Sequence, residues 1–105
     1  RKFVRHDVGR LAHALRSRGY LSATLILDAK GKLAAPPSII AQGVPVEEDR
    51  ADFLKECGEA AGKAASSGER NEDKLRESIR LAVRRVATSW TGKKPIVDVL
   101  LIRQG

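Results

Sequence analysis

Short stretches rich in apolar and β-branched residues predict three β-strands in this chain. The first is Tyr20–Leu27 and the last is residues 96–102, both with alternating faces. A second strand falls within residues 33–46, where a pair of prolines interrupts it. The polar segment around Gly31 predicts a turn between the first two strands. The pattern therefore supplies enough strands for one small sheet.

Three other stretches carry apolar residues at three- and four-residue spacing and predict helices. The first covers residues 5–18 and ends at Gly19. The second follows the acidic residues 47–49, which suit the positive end of a helix dipole, and runs for about four turns. The third begins after Asn71, a favourable N-cap, and carries an apolar stripe that ends at Trp90.

The element order is therefore a leading helix followed by β-β-α-α-β. This order predicts an α+β two-layer sandwich, in which a three-stranded sheet packs against two long helices. With 105 residues the chain suits one domain, which we expect over residues 7–105, with residues 1–6 as a linker remnant. Because the chain starts at Arg1 and contains no methionine, we expect it to be a piece of a longer protein.

The sheet face that the two helices leave uncovered is a candidate interface. Alternation predicts that four apolar side chains point to this face: Ile26, Ile96, Leu100 and Ile102. Such a face suits contact with a second copy or with the parent protein. Alternatively, the predicted helix 5–18 folds across the face and covers it.

The charge balance fits contact with a polyanion. Lysine and arginine number 20 against 13 acidic residues, a net charge of +7, with the positive charge at both ends of the chain. Because aromatic residues make up only 4%, we expect contact with an RNA backbone rather than base stacking. The candidate residues lie along and after the last predicted helix: Arg76, Arg80, Arg84, Arg85, Lys93 and Lys94. Alternatively, these arginines pair with neighbouring acids such as Glu77.

Catalytic chemistry is not expected in this chain. Cys57 falls on an apolar stripe, where a thiol serves as packing rather than as a nucleophile, and a lone cysteine makes no internal disulfide. His6 and His13 have no partners at ligand spacing, so we expect no metal ligands and no cofactor. No apolar run is long enough for a membrane span.

Four segments of the sequence form a specific combination. They are the strand and turn around Asp28 and Gly31, the Pro36-Pro37-Ser38-Ile39-Ile40 segment with Gly43, the stretch from Leu75 to Val86, and Gly92-Lys93-Lys94-Pro95. The last is the most specific, because it leads from a helix into an apolar terminal strand. Together these segments resemble the C-terminal domain of ribonuclease J, most closely its proteobacterial form.

The resemblance implies a small C-terminal domain that supports oligomerisation and activity of a bacterial, cytoplasmic enzyme of RNA processing and decay. The His-x-His-x-Asp-His motif with which that family binds zinc is absent here, so zinc and catalysis are expected only in the parent. The expected partners are a second copy, the parent's catalytic domains and RNA. The acidic segment 47–59 is a further candidate, as a docking platform for a component of an RNA-decay complex.

Overall fold

The computed structural model describes residues 19–44, 46 and 48–104. It confirms the β-β-α-α-β order and the α+β class. The predicted helix 5–18 and the linker 1–6 lie outside the described residues. The elements are β1 (Tyr20–Leu27), β2 (Ser38–Gln42), α1 (Arg50–Ala65), α2 (Glu72–Thr91) and β3 (Ile96–Arg103).

The three strands form one mixed sheet in the order β2-β1-β3. The central strand β1 is antiparallel to β2 and parallel to β3. The predicted turn joins β1 to β2. In it Gly31 has φ +82°, and an Asp28 carboxylate oxygen accepts hydrogen bonds from the main-chain N–H groups of Lys30 and Lys32 at 2.8 and 2.9 Å. Because β1 is central, β3 forms one edge of the sheet and β2 forms the other.

The strand β2 is much shorter than the apolar stretch that predicted it. Only Ser38–Gln42 pairs continuously with β1, while Leu33 forms a single isolated bridge with Leu27. The intervening Pro36 and Pro37 have no N–H group to donate to a ladder, which accounts for the gap.

Both helices pack on the same face of the sheet, as predicted. In β1 every second residue is fully buried beneath them: Leu21, Ala23, Leu25 and Leu27. Each helix contributes one stripe of buried side chains. The stripe of α1 is Phe53, Cys57, Ala61 and Ala65, and the stripe of α2 is Leu75, Ile79, Val83 and Ala87. A single core therefore lies between the sheet and the helices.

Local interactions fix the two ends of α2. The Asn71 side chain accepts a hydrogen bond from the N–H of Lys74 at 3.0 Å, which confirms the predicted N-cap. At the other end Gly92 adopts φ +74° and its N–H donates to the Thr88 carbonyl at 2.8 Å. The sharp stop directs the chain into β3.

The order of the elements brings several loops to one end of the sandwich. Because β3 is parallel to β1, the carboxyl ends of both strands lie there, together with the turn that follows β1. The helix α1 returns to this end, so the α1–α2 loop, residues 66–71, also lies there. We call it the carboxyl end of the sheet.

Candidate functional site

The sheet face opposite the helices, which we call the open face, carries exposed apolar side chains. Leu100 is 56% exposed and Ile102 is 41% exposed, while Ile26 and Ile96 are half-buried. The parallel register pairs Ile26 with Ile102, and Leu100 with Thr24. All four residues predicted for this face therefore lie on it, with three of them grouped toward the carboxyl end of the sheet.

The open face carries a further apolar residue that was not among those predicted for it. Ile40 of β2 is 54% exposed and pairs across the sheet with Ser22. Its neighbour Ile39 points to the opposite face and packs against the core. The signal was present, because alternation within Ser38–Gln42 places Ile39 and Ile40 on opposite faces.

The two edges of the sheet differ in how they are protected. The β2 edge is five residues long and follows two prolines, and the Arg50 guanidinium donates a hydrogen bond to the Ala41 carbonyl at 2.7 Å. The β3 edge is eight residues long, lacks proline and pairs with no described strand on its outer side. Its charged residues are Asp98 and Arg103. An exposed, largely apolar edge strand of this length is a ready template for pairing.

The basic residues of α2 are only partly available to a ligand. Arg76 contacts Glu72 and Asp73, at 3.7 and 3.1 Å, and Arg80 makes two hydrogen bonds to Glu77, at 2.6 and 2.8 Å. The hydrogen bonds from Arg80 lower the pKa of Glu77. Pairing of Arg80 with Glu77 is the alternative that the sequence left open.

The other predicted basic residues lie further along α2 and beyond its end. Arg84 is one turn past Arg80 and also lowers the pKa of Glu77, whereas Arg85 is exposed and Lys93 and Lys94 follow the helix. Contact of the six predicted basic residues with RNA stays a prediction.

A cleft at the carboxyl end of the sheet was not predicted. It measures about 710 Å³ and its lining includes Lys30 and Lys32 from the β1–β2 turn, Arg70 from the α1–α2 loop and Arg103 from the end of β3. Glu69 is the acidic residue of the lining. We call this feature the basic cleft.

Cys57 is fully buried in α1 and confirms the predicted packing role. Burial, with a smaller contribution from the neighbouring Glu56 carboxylate, raises the pKa of the thiol to about 12. A thiol with such a pKa stays protonated and is a poor nucleophile at neutral pH. Among the described residues, no group of three or more His, Cys, Asp and Glu side chains could hold a metal ion. None of the described helices combines the length and apolarity needed to cross a membrane.

The family assignment rests on two comparisons with known proteins. The family model of the ribonuclease J C-terminal domain matches residues 12–104. A ribonuclease J from Sinorhizobium meliloti is 28% identical in an alignment 90 residues long, which covers 81% of this chain and 16% of that protein. The chain thus spans about one sixth of its relative's length. Because the family model covers every described helix and strand and most of the sequence, the chain belongs to the ribonuclease J C-terminal domain family.

Proposed function

We propose that this chain is a non-catalytic assembly domain of a bacterial, cytoplasmic ribonuclease that processes and degrades RNA. The observation that carries the proposal is the open face with its adjoining β3 edge. Both carry exposed apolar side chains that no described element covers, whereas the opposite face is filled by two helices. Burial of such a surface against protein is favourable because it removes apolar area from water.

The occupant of the open face is either a second copy of the chain or the catalytic part of the parent enzyme. The exposed apolar side chains to be buried are Ile40, Leu100 and Ile102. Pairing along β3 would add main-chain hydrogen bonds to this apolar contact. Zinc, which the resemblance implies for the parent, would be held outside these 105 residues, since they lack the family's histidine-rich motif.

A matched pair of substitutions tests the proposal. Leu100→Glu puts a charge on the open face, and Leu81→Glu puts the same charge on the outer side of α2, where Leu81 is 38% exposed. Sedimentation velocity from about 1 to 100 μM should show concentration-dependent association of the unmodified chain. Leu100→Glu should abolish it, and Leu81→Glu should leave it unchanged.

Either of two results would exclude the open face as the contact: equal association of both variants, or, in the full-length enzyme, equal protease cleavage of both. If both variants associate like the unmodified chain, the open face is not the contact. If the unmodified chain stays monomeric, self-association is excluded, and the same pair of variants is then introduced into the full-length enzyme. There, Leu100→Glu should release the domain from the catalytic part, measured as increased protease cleavage between them. Equal cleavage of both variants would exclude the open face as that contact too.

A further inference from the structure

We propose that the basic cleft binds the phosphate backbone of single-stranded RNA. The proposal rests on the ribonuclease context of the proposed function and is independent of self-association. It concerns a different part of the molecule from the α2 arginines, Arg76, Arg80, Arg84 and Arg85, and involves none of them.

The first argument is the charge of the cleft. Among the residues that the structure describes, four basic side chains, those of Lys30, Lys32, Arg70 and Arg103, line it together with one carboxylate, that of Glu69. That carboxylate already accepts a hydrogen bond from the main-chain N–H of Asn71 at 3.1 Å. A concave surface with an excess of one charge concentrates ligands of the opposite charge.

The second argument is that the cations of the cleft are less neutralised than those of α2. Lys30, Lys32 and Arg70 form no ion pair with any residue that the structure describes. The Oδ1 atom of the Asp28 carboxylate, in the same turn, accepts two main-chain hydrogen bonds and forms no ion pair with a described residue. Arg103 lies 3.5 Å from Glu72, a carboxylate that also contacts Arg76. The strongest local neutralisation therefore lies on α2, and the cleft keeps more of its positive charge.

The third argument concerns the shape and chemistry of the ligand. A volume of about 710 Å³ lies within the range of small-molecule clefts and is open enough for a segment of chain. The described residues of the lining include no aromatic side chain, so none of them offers a stacking surface to a base, and contacts to phosphate and sugar remain. Lysine and arginine side chains donate charge-assisted hydrogen bonds to phosphate oxygens. An RNA backbone meets each of these requirements.

The test compares two double variants with the same loss of charge. Lys32→Gln with Arg70→Gln removes two cations from the cleft. Lys55→Gln with Lys63→Gln removes two exposed cations from α1, outside the cleft. Both cleft substitutions should preserve the fold, because Lys32 contributes to the turn through its main chain and Arg70 has an exposed side chain in a loop. Unchanged thermal unfolding checks this point.

The measurement is the affinity for a fluorescently labelled oligouridylate as a function of salt concentration. Loss of two phosphate contacts should make the log–log slope shallower by about 1.4 for the cleft variant. The α1 variant should keep the slope of the unmodified chain. Equal slopes for all three proteins would overturn the proposal, and so would equal losses in the two variants.

Two additional probes distinguish RNA binding by the cleft from binding of an acidic protein segment and from self-association. If poly-L-glutamate binding depends on Lys32 and Arg70 while RNA binding does not, the cleft accepts an acidic protein segment and the RNA proposal is wrong. Leu100→Glu tests self-association and should leave the RNA salt slope unchanged. The cleft variant should in turn sediment like the unmodified chain, so failure of one proposal is distinguishable from failure of the other.

Discussion

The two faces of the sheet are built from alternate residues of the same strands, yet they have different surroundings. On the covered face Leu21 and Leu25 are fully buried beneath the helices. On the open face Leu100 and Ile102 keep about half of their surface in contact with solvent. The residue types are similar, so hydrophobicity alone does not distinguish the two faces.

The difference lies in what each helix brings to the sheet. The stripes of α1 and α2 meet the covered face and close a single core around residues such as Phe53 and Ile79. The open face receives no such stripe from any described element. Burial on one face therefore contributes to stability, while exposed apolar area on the other remains for a partner.

The largest expected effect comes from truncation on the covered face. Leu25→Ala should lower the free energy of unfolding by about 2–5 kcal/mol, because it removes a fully buried side chain and leaves a cavity. The same change at the exposed Leu81 is the matched control and should alter stability by no more than about 0.5 kcal/mol. Urea titration monitored by circular dichroism measures both.

Equal destabilisation by the two substitutions would mean that Leu81 is as well covered as Leu25. If Leu25→Ala lowered the free energy of unfolding only slightly and Leu81→Ala lowered it strongly, the core would lie around Leu81 and not around Leu25.

The sequence predicted the elements better than their arrangement. Alternation of Leu21, Ala23, Leu25 and Leu27 defined β1 to the residue, and the Asn71 cap located the start of α2. These features are local, since each depends on residues within a few positions of one another. The open face followed from the same alternation.

The basic cleft could not be predicted because it depends on strand order. It joins Lys30 to Arg103, which are far apart in sequence and meet only because β3 pairs with β1 rather than with β2. The direction of β3 was within reach, since two helices after a hairpin return the chain to the start of β1. Which strand it pairs with is a tertiary choice that local patterns do not encode.

A second, smaller effect is a pH dependence that comes from the helix side of the sheet. The pKa of Cys57 is raised to about 12 in the folded chain, while the unfolded thiol titrates near its ordinary value. Between these two pKa values the unfolded chain has released a proton that the folded chain retains. The contribution of the Cys57 thiol to the free energy of unfolding should therefore be fully present at neutral pH. Above about pH 9 this contribution should fall by about 1.4 kcal/mol per pH unit.

Cys57→Ala isolates this contribution from the other groups that titrate in the same range. The stability of the unmodified chain should fall more steeply than that of the variant between about pH 9 and 10. Parallel curves for the two proteins would show that water reaches the thiol, and that the core is more open than the burial of Cys57 indicates.

The smallest expected effect is on the open face itself, and it decides between the two interpretations of that face. Leu100→Thr should change the free energy of unfolding of the monomer by no more than about 0.5 kcal/mol, because its side chain stays largely solvated and threonine suits a strand. Urea titration at low protein concentration measures this value. A loss above about 2 kcal/mol would mean that another segment of the chain buries Leu100, as the predicted helix 5–18 would. If Leu100→Thr changes the free energy of unfolding of the monomer little but strongly weakens association, the open face contacts a partner and is not covered by the chain itself.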